Sequence, residues 1–237
     1  MSAAQKHFKS LNTLDFLILD HEIIFTKNDT LNILNPNIIL KLQSLIIKAD
    51  NPIIMTSIGG NTHNTLGLWE LPQPIDFLLP KTNLHHENEQ ALFITYQQVF
   101  DILQNKLTTL FIIFDLIREQ INVPIYHIES PPPISCDQHI LKYLASNLAP
   151  TTSNKKLSSK TLRLKLWKAH SNVFREYCRK YGITFIPAPV STMDSDGFLK
   201  PEGYFEDPTH GNTWYGRKVL EDILENFNTT VSDNASV

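Results

Sequence analysis

A chain of 237 residues, 42% of them apolar, is long enough to bury one ordinary core, and a net charge of −3 argues against a general nucleic-acid binder. The two cysteines, Cys136 and Cys178, lie far apart without CxxC spacing, which excludes a zinc signature and a disulfide framework. The most apolar run, 107–117, is short and holds Asp115, so no membrane span is expected, and no signal-peptide pattern opens the chain.

In chain order, residues 2–10 read as a helix, 14–19 as extended and 22–26 as a further extended stretch. Asn35-Pro36-Asn37 opens a predicted helix to about residue 48, with Ile38, Ile39, Leu42, Leu45 and Ile46 on its apolar side. An apolar, β-branched strand at 52–58 breaks into Gly59-Gly60-Asn61-Thr62-His63-Asn64. Glycines directly after a buried strand let the backbone approach a partner closely, and Asn61 can present a side-chain N–H donor there. Residues 65–90 read as loop, punctuated by Pro72, Pro74 and Pro80, with His85-His86 at the surface. A long helical region over 89–120, broken or bent inside, is followed by a strand at 124–128 that empties into Glu129-Ser130-Pro131-Pro132-Pro133.

A helix over 137–147, a polar linker from Thr151 to Ser159, a helix over 160–181 and a strand at 183–187 come next, the strand ending in Pro187-Ala188-Pro189. Asp194 and Asp196 around Gly197 read as a turn rather than a calcium loop, since further ligands are not at hand. A final helix carries Trp214, Val219, Leu220, Ile223, Leu224 and Phe227 at helical spacing, and 228–237 reads as a disordered polar tail. Strand–helix alternation of this kind predicts one α/β domain over 1–227, a three-layer α/β/α sandwich with a parallel sheet. Lys155, Lys156, Lys160, Arg163, Lys165, Lys168, Arg175, Arg179 and Lys180 crowd one segment beside Leu162, Leu166, Trp167, Val173, Phe174 and Tyr177. It reads as an amphipathic helix with a basic, solvated outer face, or a docking surface for an anionic sugar or lipid.

The last motif is Asp207-Pro208-Thr209-His210, just before Gly211-Asn212-Thr213-Trp214. A carboxylate three residues before a histidine suits a loop that folds back so that the carboxylate reaches Nδ1, which leaves Nε2 free to take a proton from a nucleophile. The structural alternative is a helix start with Asp207 or Thr209 as its cap and a surface histidine. Ser57, just before the glycines, is a second candidate nucleophile, although a strand residue more often packs. His63 is a candidate pocket residue, and His63, Asp207 and His210 together make the rival of a metal-dependent hydrolase. Glu129 either faces the crevice or serves the turn before three prolines.

The Gly59-Gly60-Asn61 block after a strand, the strand before Pro131-Pro132-Pro133, and the closing Asp207-x-x-His210 together resemble the SGNH (GDSL-type) hydrolase superfamily over roughly residues 14–227. The resemblance implies a flavodoxin-like sheet and an ester hydrolase acting on a carboxylic or O-acetyl ester of a small molecule or glycan. It implies Asp207 and His210 as acid and base of a Ser-His-Asp triad, and Asn61 with the N–H groups of Gly60 and Gly59 as the oxyanion hole. No cofactor and no metal are expected, and charge and hydropathy argue against a nucleic-acid partner and a membrane span. The family's first block, Gly-Asp-Ser after the first strand, occurs nowhere in the chain. The order of elements puts a helix at 2–10 where strand and nucleophile should precede it. The expectation is therefore a chain that starts one element late, with Ser2 no substitute for the nucleophile. The rival is a non-catalytic binding protein that keeps the fold. A cytoplasmic location is expected, or an unknown one if an N-terminal segment is missing.

Overall fold

A computed structural model describes residues 24–27, 31–82, 89–145 and 156–234, with side chains described over 35–82, 89–144 and 156–225. The predicted helix at 2–10, the strand at 14–19 and the His85-His86 pair lie outside the described residues. Strands β1 (Ile24–Lys27) and β2 (Leu31–Leu34) pair antiparallel as a hairpin; the sequence suggested only the first. Helix α1 (Pro36–Ile46) starts as its sequence predicts: Pro36 occupies the first turn and Asn35 Oδ1 accepts the Asn37 N–H at 3.0 Å.

The central sheet is parallel and runs in the order β3 (Ile54–Thr56), β6 (Ile125–Ile128), β7 (Thr184–Ile186). Between β3 and β6 lie the short helix α2 (Thr62–Gly67), strands β4 (Ile75–Asp76) and β5 (Leu92–Phe93), and helix α3 (Tyr96–Gln120). Helix α2 begins in the loop after β3 and runs into the stretch expected to be loop, which also holds β4; β5, its parallel partner, lies where a helix was expected, and each element is too short to leave a periodic signal. Helix α3 begins seven residues later than expected and runs unbroken. A reciprocal cap sets its start: Thr95 Oγ1 accepts the Gln98 N–H at 3.2 Å, and Gln98 Oε1 accepts the Thr95 N–H at 2.8 Å.

Alternation along the strands builds the three layers. Ile54, Ile125 and Phe185 pack into one core with α1, α3 and helix α5 (Lys160–Tyr181). Met55, Ile128 and Ile186 point to the opposite face, where Ile140 of α4 (Asp137–Ala145) and Tyr215, Val219 and Ile223 of α6 (Thr213–Asn234) close a second core. The chain is therefore an α/β fold whose parallel sheet is covered by helices on both faces. Each fully buried Leu or Phe in these cores contributes roughly 1.5–3 kcal/mol by leaving water. Helix α6 continues to Asn234, past the point where the sequence suggested a tail from 228.

Helix α5 corrects another expectation. Its ends are as predicted, with Ser159 capping Leu162 N–H at 3.1 Å and Gly182 closing in the left-handed region at φ 64°. Its basic face is not uniformly solvated. Arg163 and Lys165 are buried, because α5 is packed on several sides rather than laid on the surface. Arg163 donates to the carbonyls of Ser158, Ile134 and Ser135 and to Asp137 Oδ1, the last at 2.7 Å. Lys165 Nζ lies 2.8 Å from Asp76 Oδ1. The exposed cations of α5 stand at its ends, Lys160 at the start and Arg175, Arg179 and Lys180 in the last turns, and Arg175 lies over the Phe185 ring.

Candidate functional site

Asp207 and His210 form a closed pair. Oδ2 of Asp207 lies 2.6 Å from His210 Nδ1, while its Oδ1 accepts the backbone N–H groups of Thr209 and His210, each at 2.8 Å. Three contacts on one carboxylate fold the four-residue loop back on itself, which is what the Asp-x-x-His spacing allows. Burial by itself would raise the Asp207 carboxyl, but the two backbone N–H groups and the imidazole outweigh it and hold the group below its ordinary value. The imidazole side chain is 61% exposed. Asp207 does not cap the last helix. Asn212 does, its Oδ1 accepting Trp214 N–H at 2.9 Å and Tyr215 N–H at 3.2 Å. The same side chain donates from Nδ2 to the carbonyls of Glu202 and Tyr204, at 2.8 and 3.0 Å, so the helix start and the loop before it are one unit.

The Gly59-Gly60-Asn61 loop leaves the C-terminal end of β3. Gly59 sits at φ 78°, and a Cβ there would come within 2.6 Å of Leu110 Cδ1 and 3.1 Å of Phe174 Cζ. Only glycine satisfies both the backbone and the space. Asn61 is exposed at the start of α2; its Oδ1 accepts from Asn64 Nδ2 at 2.6 Å, and its own Nδ2 makes no hydrogen bond among the described residues. Ser57 is exposed just past β3, not packed as a strand residue, and makes no hydrogen bond to His210 among the described residues.

The glycine loop and the start of α6 border the end of β6. A Cβ on Gly60 would stand 3.0 Å from Ser130 Cβ, and Tyr215, in the first turn of α6, interacts electrostatically with Glu129. Glu129 is buried, not a surface turn residue, and its Oε2 accepts the Ala188 N–H at 2.7 Å from the loop after β7. Burial pushes its carboxyl above the ordinary value. Ser171, the Ala188 N–H, Arg175 and Lys168 pull it back in part, although among the described residues no hydrogen bond of ordinary geometry joins Ser171 Oγ to another group. The loops after β3, β6 and β7 thus share one sheet edge, the usual position of a site in an open parallel sheet.

Behind the glycine loop lie three buried imidazoles. His170 Nε2 is 3.1 Å from the Gly59 carbonyl, which only accepts, so Nε2 carries the proton. The His63 and His170 rings are 5.0 Å apart, and His127 stacks on Phe174 at 4.1 Å with Nδ1 2.9 Å from Thr56 Oγ1. Burial depresses all three: His170 to about 4, His127 to about 3, and His63 well below its ordinary value, the latter two further lowered by His170. His63 is therefore a neutral core imidazole, not an open pocket residue. Among the described residues no three His, Cys, Asp or Glu side chains converge as metal ligands, so the set of His63, Asp207 and His210 does not assemble.

The sequence missed His139, in the first turn of α4. Its Nε2 lies 3.0 Å from the Phe205 carbonyl and 3.1 Å from the Asp207 carbonyl. No spacing links it to Asp207, because the contact is tertiary. Comparison of the sequence with protein-family models finds no match, and no curated protein matches it. Among the described residues no helix is long and apolar enough to cross a membrane.

Proposed function

We propose that this chain carries the acid–base half of a serine-type ester hydrolase of the SGNH kind, acting on a carboxylic or O-acetyl ester of a small molecule or glycan. The observation that carries the reading is the 2.6 Å contact from Asp207 Oδ2 to His210 Nδ1 in a pair whose imidazole stays open to solvent. With Nδ1 committed to the carboxylate, Nε2 is the atom available to remove a proton from a serine hydroxyl. The serine oxygen then attacks the ester carbonyl, and the proton passes from Nε2 to the leaving alkoxide. Water repeats the cycle on the acyl-enzyme. Asn61 Nδ2 and the N–H groups of Gly59 and Gly60 are the donors for the oxyanion; loss of one such donor typically costs about 100- to 1000-fold in rate.

The rival is a binding protein that keeps the fold without the chemistry, and the given residues hold no Gly-Asp-Ser run under either reading. A fluorophosphonate probe decides between them, because it labels only an activated serine. Labelling of the 237-residue chain that is lost in His210→Gln, with the adduct mapped by peptide mass, would support the hydrolase and name its nucleophile. Labelling at Ser57, lost in Ser57→Ala, would make that residue the nucleophile. No labelling and no hydrolysis of short-chain aryl acetates would leave the binding reading.

A further inference from the structure

Nothing in the hydrolase reading uses His139, yet its contacts converge on the proposed dyad. Tyr204 and Gly211 form an antiparallel bridge, and Phe205 N–H donates to the His210 carbonyl at 3.1 Å, so Phe205 and His210 lie across from one another on two legs of a narrow loop. Asp207 sits between those legs. His139 Nε2 reaches the carbonyls of both Phe205 and Asp207. Carbonyl oxygens only accept, so Nε2 must carry a proton and share it between the two.

The imidazole is held for that task. Its ring centroid lies 4.8 Å from that of Tyr143 and 4.9 Å from that of Tyr204, and the Tyr204 hydroxyl is 3.4 Å from Ser135 Oγ. Asp137, two residues before His139, is gripped by the buried Arg163 at 2.7 Å. A fixed path therefore runs from the core of α5, through the start of α4, to the backbone of the dyad loop.

We propose that His139 is a positioning residue for the Asp207–His210 pair, holding the carboxylate under the imidazole through the two backbone carbonyls. The inference rests on the reading of that pair as the acid–base element, but its test needs no substrate. Carboxyl-detected NMR follows the Asp207 titration directly. In the unmodified chain the Asp207 carboxyl is expected to titrate below the ordinary aspartate range, because the loop presents it with two N–H groups and an imidazole.

His139→Phe keeps a ring between Tyr143 and Tyr204 but has no donor, and the Asp207 titration should move up toward the ordinary range. His139→Gln places an amide N–H near the same spot and should restore the depressed titration. An unchanged Asp207 titration in folded His139→Phe overturns the proposal. If His139→Phe does not fold, His139→Gln decides alone: a wild-type titration supports the proposal and an altered one overturns it. Where ester hydrolysis is measurable, kcat in His139→Phe should fall by roughly 10- to 100-fold with KM little changed, since misplacing a catalytic group acts on the reacting geometry rather than on binding. A failed hydrolysis assay with the NMR result intact would count against the hydrolase reading and not against the anchor.

Discussion

Oε2 of Glu129 accepts the backbone N–H of Ala188 at 2.7 Å, so a buried carboxyl at the end of β6 holds the loop that follows β7. The same carboxyl faces Tyr215 of α6 and Lys168, Ser171 and Arg175 of α5. Its folded pKa is raised above the ordinary 4.5. The stability it contributes is therefore full below that ordinary value and is lost as pH rises through the folded value. Glu129→Gln keeps an acceptor for Ala188 and removes the titration. The difference in unfolding free energy between variant and wild type, measured by urea denaturation, should move in the variant's favour from pH 4 to pH 7. A difference that stays flat with pH would show that Glu129 titrates as an ordinary surface group.

The buried imidazoles act in the opposite direction. His170 is neutral in the fold down to about pH 4, whereas the unfolded chain takes up its proton near 6.5. The unfolded state binds more protons in that window, so stability falls as pH drops from about 7 toward 4. For His170 alone the loss by pH 4 is on the order of 3 kcal/mol. His170→Phe should flatten part of this slope in urea denaturation between pH 7 and 4. A wild-type slope in the variant would place the acid sensitivity elsewhere.

Lys165 and Asp76 join α5 to β4 with both side chains buried. Removing one partner of such a pair leaves a buried charge and typically costs 3–5 kcal/mol. Lys165→Met is expected to lower the unfolding free energy by about that amount. The half-exposed surface pair Lys218–Glu221 gives the control, as surface pairs contribute about 0–1 kcal/mol. Equal losses from Lys165→Met and Lys218→Met would refute the distinction.

Gly59→Ala forces a Cβ into a left-handed backbone position and against Leu110 and Phe174. The backbone term alone costs roughly 1–2 kcal/mol, and the contact adds to it. Thermal unfolding of Gly59→Ala should show a clear drop in Tm, while Gly216→Ala, with open space around its Cα inside α6, should leave it nearly unchanged.

Much of this arrangement was legible before the structure. The apolar runs of β3, β6 and β7 are each framed by Pro or Gly, and the span of α5 is marked by Ser159 and Gly182, so local chemistry named those elements. The Asp207–His210 contact was legible because both partners sit on one short loop. Contacts between distant segments were not. Arg163 and Lys165 look like members of a solvated stripe, and what meets them is Asp137, Asp76 and the carbonyls of Ile134 and Ser135 from other parts of the chain. His139 was silent for the same reason, as its partners lie 66 and 68 positions away. Strands β4 and β5, two residues each, carry too few side chains for any period.

Helix α5 places a practical limit on engineering this protein. A redesign that lowers surface charge to improve handling, guided by sequence alone, would select Arg163 and Lys165 early, because they stand in the densest cationic stretch of the chain. Those two positions are structural anchors inside the molecule, and the tolerant sites for such a redesign are the exposed Arg179 and Lys180 at the other end of the same helix.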